Sequence, residues 1–131
     1  MSTKLNFIVV DDSKLDCFIA EKIIQNTGRC ESVKTFQQAA DALEYIKGLP
    51  SHINGTILFI DIQMPVMNGF EFVESFEQLP AEVKSAYIIY MLSSSINEND
   101  IAKVKGYSTV KQFLNKPLTG KTMSVLLEDY Q

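Results

Sequence analysis

The chain has no tryptophan, one histidine and two cysteines among its 131 residues, and each scarcity closes off a class of chemistry. His52 stands far in sequence from Cys17 and Cys30, and the cysteines lack CxxC spacing, so no zinc site is expected. Cys17 falls inside an apolar helical pattern, which predicts a buried free thiol. No apolar stretch approaches the roughly 20 residues that cross a bilayer. The opening MSTKLNFIVVDD has too short an apolar run for a signal peptide and no small-residue cleavage site. A soluble, cytoplasmic protein without membrane contact is therefore expected. Basic residues are in the minority, with 12 Lys and Arg against 16 Asp and Glu, and they form no cluster, which argues against binding nucleic acid.

What is present is an alternation. Apolar runs at residues 5–10 (LNFIVV), 32–36 (SVKTF), 56–60 (TILFI), 87–92 (YIIYML) and 110–114 (VKQFL) read as strands. Between them, apolar residues recur at helical spacing. Phe18, Ile19, Ile23 and Ile24 precede Gly28, and Ala40, Leu43, Tyr45 and Ile46 mark a helix over 37–49. His52 falls in a polar turn at 51–55, and MPVMNG (64–69) is a loop. Phe70, Phe72, Val73 and Phe76 mark a third helix, and Ile101, Ala102 and Val104 a fourth over 96–106. Thr119 is placed to cap a fifth through Met123, Val125, Leu126 and Leu127. Continuous apolar strands between amphipathic helices imply an α/β fold with a doubly wound parallel sheet covered on both faces. The last helix uses up the chain, so residues 1–131 are expected to form one domain with no output module.

Such a sheet gathers its ligand groups at the carboxyl ends of the strands. Asp11 and Asp12 follow the first strand, Asp61 the third, Ser93 the fourth, and Lys116 with Pro117 the fifth. Three clustered carboxylates repel one another, and a divalent cation among them removes that cost. An all-oxygen set of high negative charge suits Mg2+. Lys116 adds a mobile point charge, Ser93 a small hydroxyl donor, and a carboxylate can itself attack phosphorus. Taken singly, each has an ordinary reading: a helix cap, a turn acid, loop serines, a solvated lysine. It is their joint placement that points to phosphoryl chemistry.

With these residues in place, the chain resembles the receiver domain of two-component response regulators along its whole length. FIVVDDS, FIDIQMPVMNGFEF, YMLSSS and FLNKPLT carry the resemblance. It implies a flavodoxin-like (βα)5 sheet with strand order 2-1-3-4-5. It implies that Asp61 is phosphorylated by a partner histidine kinase or histidine phosphotransfer protein. By the same resemblance Asp11, Asp12 and Asp61 would hold Mg2+ together with the backbone carbonyl of Gln63. Lys116 would pair with the phosphoryl group or with Asp61, and Pro117 would follow it through a cis bond. Ser93 takes the place of the family's switch hydroxyl and Phe113 that of its switch aromatic. Phosphorylation would draw in the Ser93 hydroxyl and let Phe113 rotate inward. That would reshape the face of the fourth helix, fifth strand and fifth helix for a downstream protein target. Phe113 carries no hydroxyl, so a hydrogen-bonded form of the aromatic switch is excluded, and GYSTVKQF departs from the small-residue pair common before the fifth strand. Gln63 and Ser95 would flank the phosphoryl group. A monomer or weak homodimer is expected, with Ile101, Val104, Tyr107 and Phe113 on the face to test.

Three rivals are weaker. A dehalogenase-like phosphatase needs a second Asp two residues after the nucleophile, where this chain has Gln63, which supplies no proton. The domain is therefore expected to store a phosphoryl group, catalysing only its own transfer and slow loss. A nucleotide-binding module needs a phosphate loop, and Ser93-Ser94-Ser95 lacks glycine. A receiver fold used only as a binding surface would not need the full set of Asp11, Asp12, Asp61, Ser93 and Lys116.

Overall fold

A computed structural model describes residues 4–95 and 97–130. Five strands, β1 (Leu5–Val10), β2 (Cys30–Phe36), β3 (Thr56–Asp61), β4 (Tyr87–Ser93) and β5 (Val110–Asn115), form one sheet. All neighbouring pairs are parallel and the order is β2-β1-β3-β4-β5. The helices are α1 (Lys14–Gln25), α2 (Ala39–Gly48), α3 (Gly69–Phe76), α4 (Ala81–Lys84), α5 (Glu98–Lys105) and α6 (Gly120–Leu127). No helix among the described residues is long and apolar enough to cross a membrane.

The five expected strand–helix units are all found, with ends moved by a few residues. The first residue expected for the fourth helix, Ile96, lies outside the described residues. The single turn α4 was not legible: Pro80 stands at its N-cap with φ of −56°, and Val83 and Ser85 donate back to Pro80 and Ala81. Four residues are too few to display a periodicity. The expected fourth and fifth helices are consequently α5 and α6.

Alternation along the strands splits the core into two layers. Ile8, Val10, Leu58 and Ile60 pack with Ala42 and Ile46 of α2 and with Phe72 and Phe76 of α3. Phe7, Val9, Ile57 and Phe59 pack with Cys17 and Ile24 of α1 and Met123 and Leu126 of α6. β3 is buried along all six residues because it is the central strand with helices on both sides. Arg29 ties down the far end of α6, its Nη1 donating to the Leu127 carbonyl at 3.1 Å and its Nη2 to the Tyr130 carbonyl. That pairing satisfies carbonyls a helix end leaves open and lets the guanidinium be buried.

Candidate functional site

Asp61 ends β3, and the chain then turns sharply. The Asp61 Oδ1 accepts the Gln63 N–H at 3.1 Å. Asp11, after β1, is held the same way, its Oδ1 accepting the Ser13 N–H at 2.9 Å. Short acids that bond their own backbone two residues on favour such turns. Each acid thereby keeps its Oδ2 turned away from its own turn, where Lys116 meets it. Both are buried, at 2% exposure for Asp11 and 5% for Asp61.

The start of α3 must come close to this turn. Gly69 donates its N–H to the Ile62 carbonyl at 2.9 Å. A Cβ on Gly69 would sit 2.8 Å from the Asp61 carbonyl oxygen and 2.9 Å from the Ile62 Cα. Glycine is therefore required here for the close approach. Asn68 caps the helix, accepting from the Glu71 N–H at 2.9 Å while Glu71 accepts from the Asn68 N–H at 2.9 Å. The loop before it contains Val66 at φ 68°, nearly fully exposed.

The structure brings the sequence candidates together. Oxygens of Asp11, Asp12 and Asp61 lie within 4.8 Å of one another, with Asp12 exposed. Lys116 Nζ lies 2.8 Å from Asp11 Oδ2 and 3.2 Å from Asp61 Oδ2. The Lys116 N–H donates to the Ser93 carbonyl at 2.9 Å, which locks the ends of β4 and β5 together, and the Lys116–Pro117 bond is cis. Ser93 is fully buried, but its hydroxyl is engaged locally, donating to the Ser95 carbonyl at 2.8 Å and accepting the Ser95 N–H at 3.1 Å. Phe113 is half-buried against the α2/α3 layer.

Sequence reasoning missed a fourth carboxylate. Asp16, in the first turn of α1, places its Oδ2 2.9 Å from Lys116 Nζ. The signal available was its position three residues after the Ser13 cap, which sets it on the rim of the same strand end. Also missed was how the GYST segment is held. The Tyr107 hydroxyl donates to Glu74 at 2.6 Å, and Thr109 donates to Glu77 through its N–H at 3.2 Å and its hydroxyl at 2.8 Å.

Burial pushes the Asp61 carboxyl above its ordinary range, against the lowering effects of the Gln63 N–H and the Lys116 charge; the Asp11 charge adds to the rise. Burial works to lower Lys116, but its hydrogen bonds to Asp11 and Asp16 and the charges of Asp11 and Asp61 outweigh it, so the ammonium is held charged. The Cys17 thiol donates to the Asp11 carbonyl at 3.2 Å and is pushed up to about 11, chiefly by burial and then by the Asp11 charge. A thiol so raised is a poor nucleophile at neutral pH, in keeping with a packing role.

Residues 7–128 match the family described as "Response regulator receiver domain". The chain belongs to that family. Among solved structures, a response regulator receiver protein from Dyadobacter fermentans superposes with a TM-score of 0.86 at 34% identity, covering 96% of this chain and 97% of that one. Two-component response regulator 24 of Arabidopsis thaliana is 29% identical over 126 residues, 95% of this chain and 83% of that protein. The hybrid signal transduction histidine kinase C of Dictyostelium discoideum is 24% identical over 130 residues, 95% of this chain. This receiver spans 10% to 22% of the length of that kinase and of two protein-glutamate methylesterases it also matches.

Receiver domains are signalling modules of two-component systems and generally not enzymes, and membership implies dealings with histidine kinases or phosphotransfer proteins. They generally bind Mg2+ in an acidic pocket, and the donor set of this receiver fits that ion. Its carboxylates are all hard oxygen ligands, and one of them, Asp12, faces solvent and leaves a path for a hydrated cation.

Proposed function

We propose that this receiver stores a signal as a phosphoryl group on Asp61. The observation that carries the reading is the convergence of Asp11, Asp12 and Asp61 within 4.8 Å, with Lys116 Nζ 3.2 Å from Asp61. An Asp61 carboxylate oxygen forms a bond to phosphorus as the P–N bond to a donor phosphohistidine breaks, and the imidazole keeps the electron pair. Asp11, Asp12, Asp61 and the Gln63 carbonyl would hold Mg2+. When bound, the ion would offset charge on the phosphoryl oxygens and the acids. Lys116 remains an ammonium and donates to the phosphoryl group. Ser93 exchanges its bond to the Ser95 carbonyl for one to a phosphoryl oxygen. Phe113, already half-buried, then turns further inward, and the surface of α5, β5 and α6 changes for a protein target. The phosphoryl contacts bias this equilibrium only as far as they differ between the two states. Gln63 beside the acyl phosphate supplies no general acid, which supports storage over turnover.

A protein donor needs a landing surface next to Asp61. Leu15, Phe18 and Ile19 of α1 are 65%, 57% and 39% exposed, and Ile19 borders the crevice that holds Asp11 and Lys116. We assign this apolar strip to the phosphodonor protein, in the cytoplasm.

Acetyl phosphate with Mg2+ should add one phosphoryl group to the intact protein by mass spectrometry, and Asp61→Asn should add none. Equal labelling of the variant would overturn the reading.

A further inference from the structure

Lys116 has three N–H donors, and three carboxylates stand around it: Asp11 at 2.8 Å, Asp16 at 2.9 Å and Asp61 at 3.2 Å. Two of these have other work in the phosphoryl chemistry, Asp11 as a cation ligand and Asp61 as ligand and nucleophile. Asp16 has none. It is outside the group of three acids that meet within 4.8 Å. Its side chain is 41% exposed, against 3% and 7% for Asp11 and Asp61, so it occupies the rim of the crevice rather than its floor.

An acid in the first turn of α1 is favoured there by the helix dipole, and that alone accounts for an Asp at this position. It does not account for where the carboxylate goes. The Asp16 N–H donates to Ser13 Oγ at 3.1 Å, so the backbone is pinned by the cap, and the side chain reaches across to a lysine on the segment between β5 and α6. The reach has a consequence for cation entry. Lys116 pairs with both Asp11 and Asp61. A divalent cation taking those two oxygens must dislodge the ammonium, and a part-buried ammonium with no carboxylate to go to is costly. Asp16 gives it one at the rim.

We propose that Asp16 is a positioning residue for Lys116, holding the ammonium at the mouth of the site while a divalent cation occupies Asp11 and Asp61, so that Lys116 stays within reach of the incoming phosphoryl group. The inference rests on the phosphoacceptor reading above. In this arrangement Asp16 touches neither cation nor phosphoryl group and acts only through Lys116.

The test is a double-mutant cycle on Mg2+ affinity, measured calorimetrically without phosphodonor. Asp16→Asn should weaken binding about 5-fold or more in the native background, within the range of ordinary coupling between sites. In a Lys116→Met background the same change should alter affinity by less than about 2-fold, since the group it acts through is gone. Asp16→Glu, which keeps the charge and can still reach, should retain native affinity within about 2-fold. An equal loss from Asp16→Asn in both backgrounds would overturn the proposal, leaving Asp16 as a bare negative charge near the site. Failure of the native protein to bind Mg2+ at millimolar concentration would instead sink the phosphoacceptor reading itself. Thermal melts of all five proteins in chelator separate either result from loss of fold.

Discussion

Asp61 is held at the floor of a crevice where burial disfavours its charge more than Lys116 and the Gln63 N–H favour it. Its proton affinity in the folded protein is therefore above the ordinary value of 3.8. The folded state then holds a proton where the unfolded chain has lost it. Stability must fall as pH rises from the unfolded value through the raised one, and the ionised Asp61 stays a cost at neutral pH. Asp61→Asn keeps an acceptor for the Gln63 N–H and removes that charge. In chelator near neutral pH it should melt higher than the native protein by roughly 2–6 °C. The gap should narrow as the pH is lowered and Asp61 takes up its proton. Millimolar Mg2+ should raise the native melting temperature, since the ion binds the folded cluster only, and Asp61→Asn should shrink that rise without removing it because Asp11 and Asp12 remain. A gap that widens on acidification would show that Asp61 is not the strained group.

At the scale of elements, the site depends on how closely α3 starts behind β3. The N–H of Gly69 bonds to Ile62, and its missing side chain leaves room for the backbone of Asp61 and Ile62. Neither neighbour is the tip of a flexible side chain, so an added methyl forces backbone apart. Gly69→Ala should cost about 1–3 kcal/mol, the usual range for overpacking. It should also slow labelling by acetyl phosphate, because the turn that positions Asp61 moves with it. Gly48, at the end of α2, is the control: a Cβ there meets nothing within 4 Å. Gly48→Ala should be neutral or gain up to about 1 kcal/mol through helix propensity. Denaturant titration of both proteins compares them directly, and equal effects would remove the close approach as the cause.

For the whole molecule, the question is how a protein donor reaches a buried aspartate. The exposed row Leu15, Phe18 and Ile19 flanks the crevice on the α1 side, and Lys22 Nζ lies 5.4 Å from the centre of the Phe18 ring. Because this row is outside the cluster of acids, it can be altered without touching the chemistry. Phe18→Asp should reduce phosphotransfer from a cognate phosphohistidine protein about 10-fold or more, comparable to loss of an aromatic anchor from an interface. Labelling by acetyl phosphate should stay within about 2-fold of native, as that donor needs no docking surface. Equal loss with both donors would place Phe18 in the fold of the site rather than on a docking face.

Much of this was legible in the sequence. The continuous apolar runs of β1, β3 and β4, separated by helical periodicities, dictate a parallel sheet wrapped on both faces, because a strand without polar alternation must be covered twice, while the more polar β2 and β5 take its edges. The acids after β1 and β3, the serine after β4 and the lysine after β5 then have to share one edge. Local order alone yields Asp11, Asp12, Asp61, Ser93 and Lys116 as a group, and the cap at Thr119 follows from the preference of short polar side chains for helix starts. Only the tertiary structure decided which partners those groups take. Asp16, passed over in the sequence, became the third carboxylate on Lys116, and the Ser93 hydroxyl turned to Ser95 instead of the crevice. The one-turn helix α4 and the bonds from Tyr107 and Thr109 to α3 were hidden for the same reason. Periodicity and strand ends are properties of a segment and can be read one segment at a time. A hydrogen bond or ion pair across elements depends on ångström-scale approach between parts of the chain far apart in sequence, and packing sets that distance.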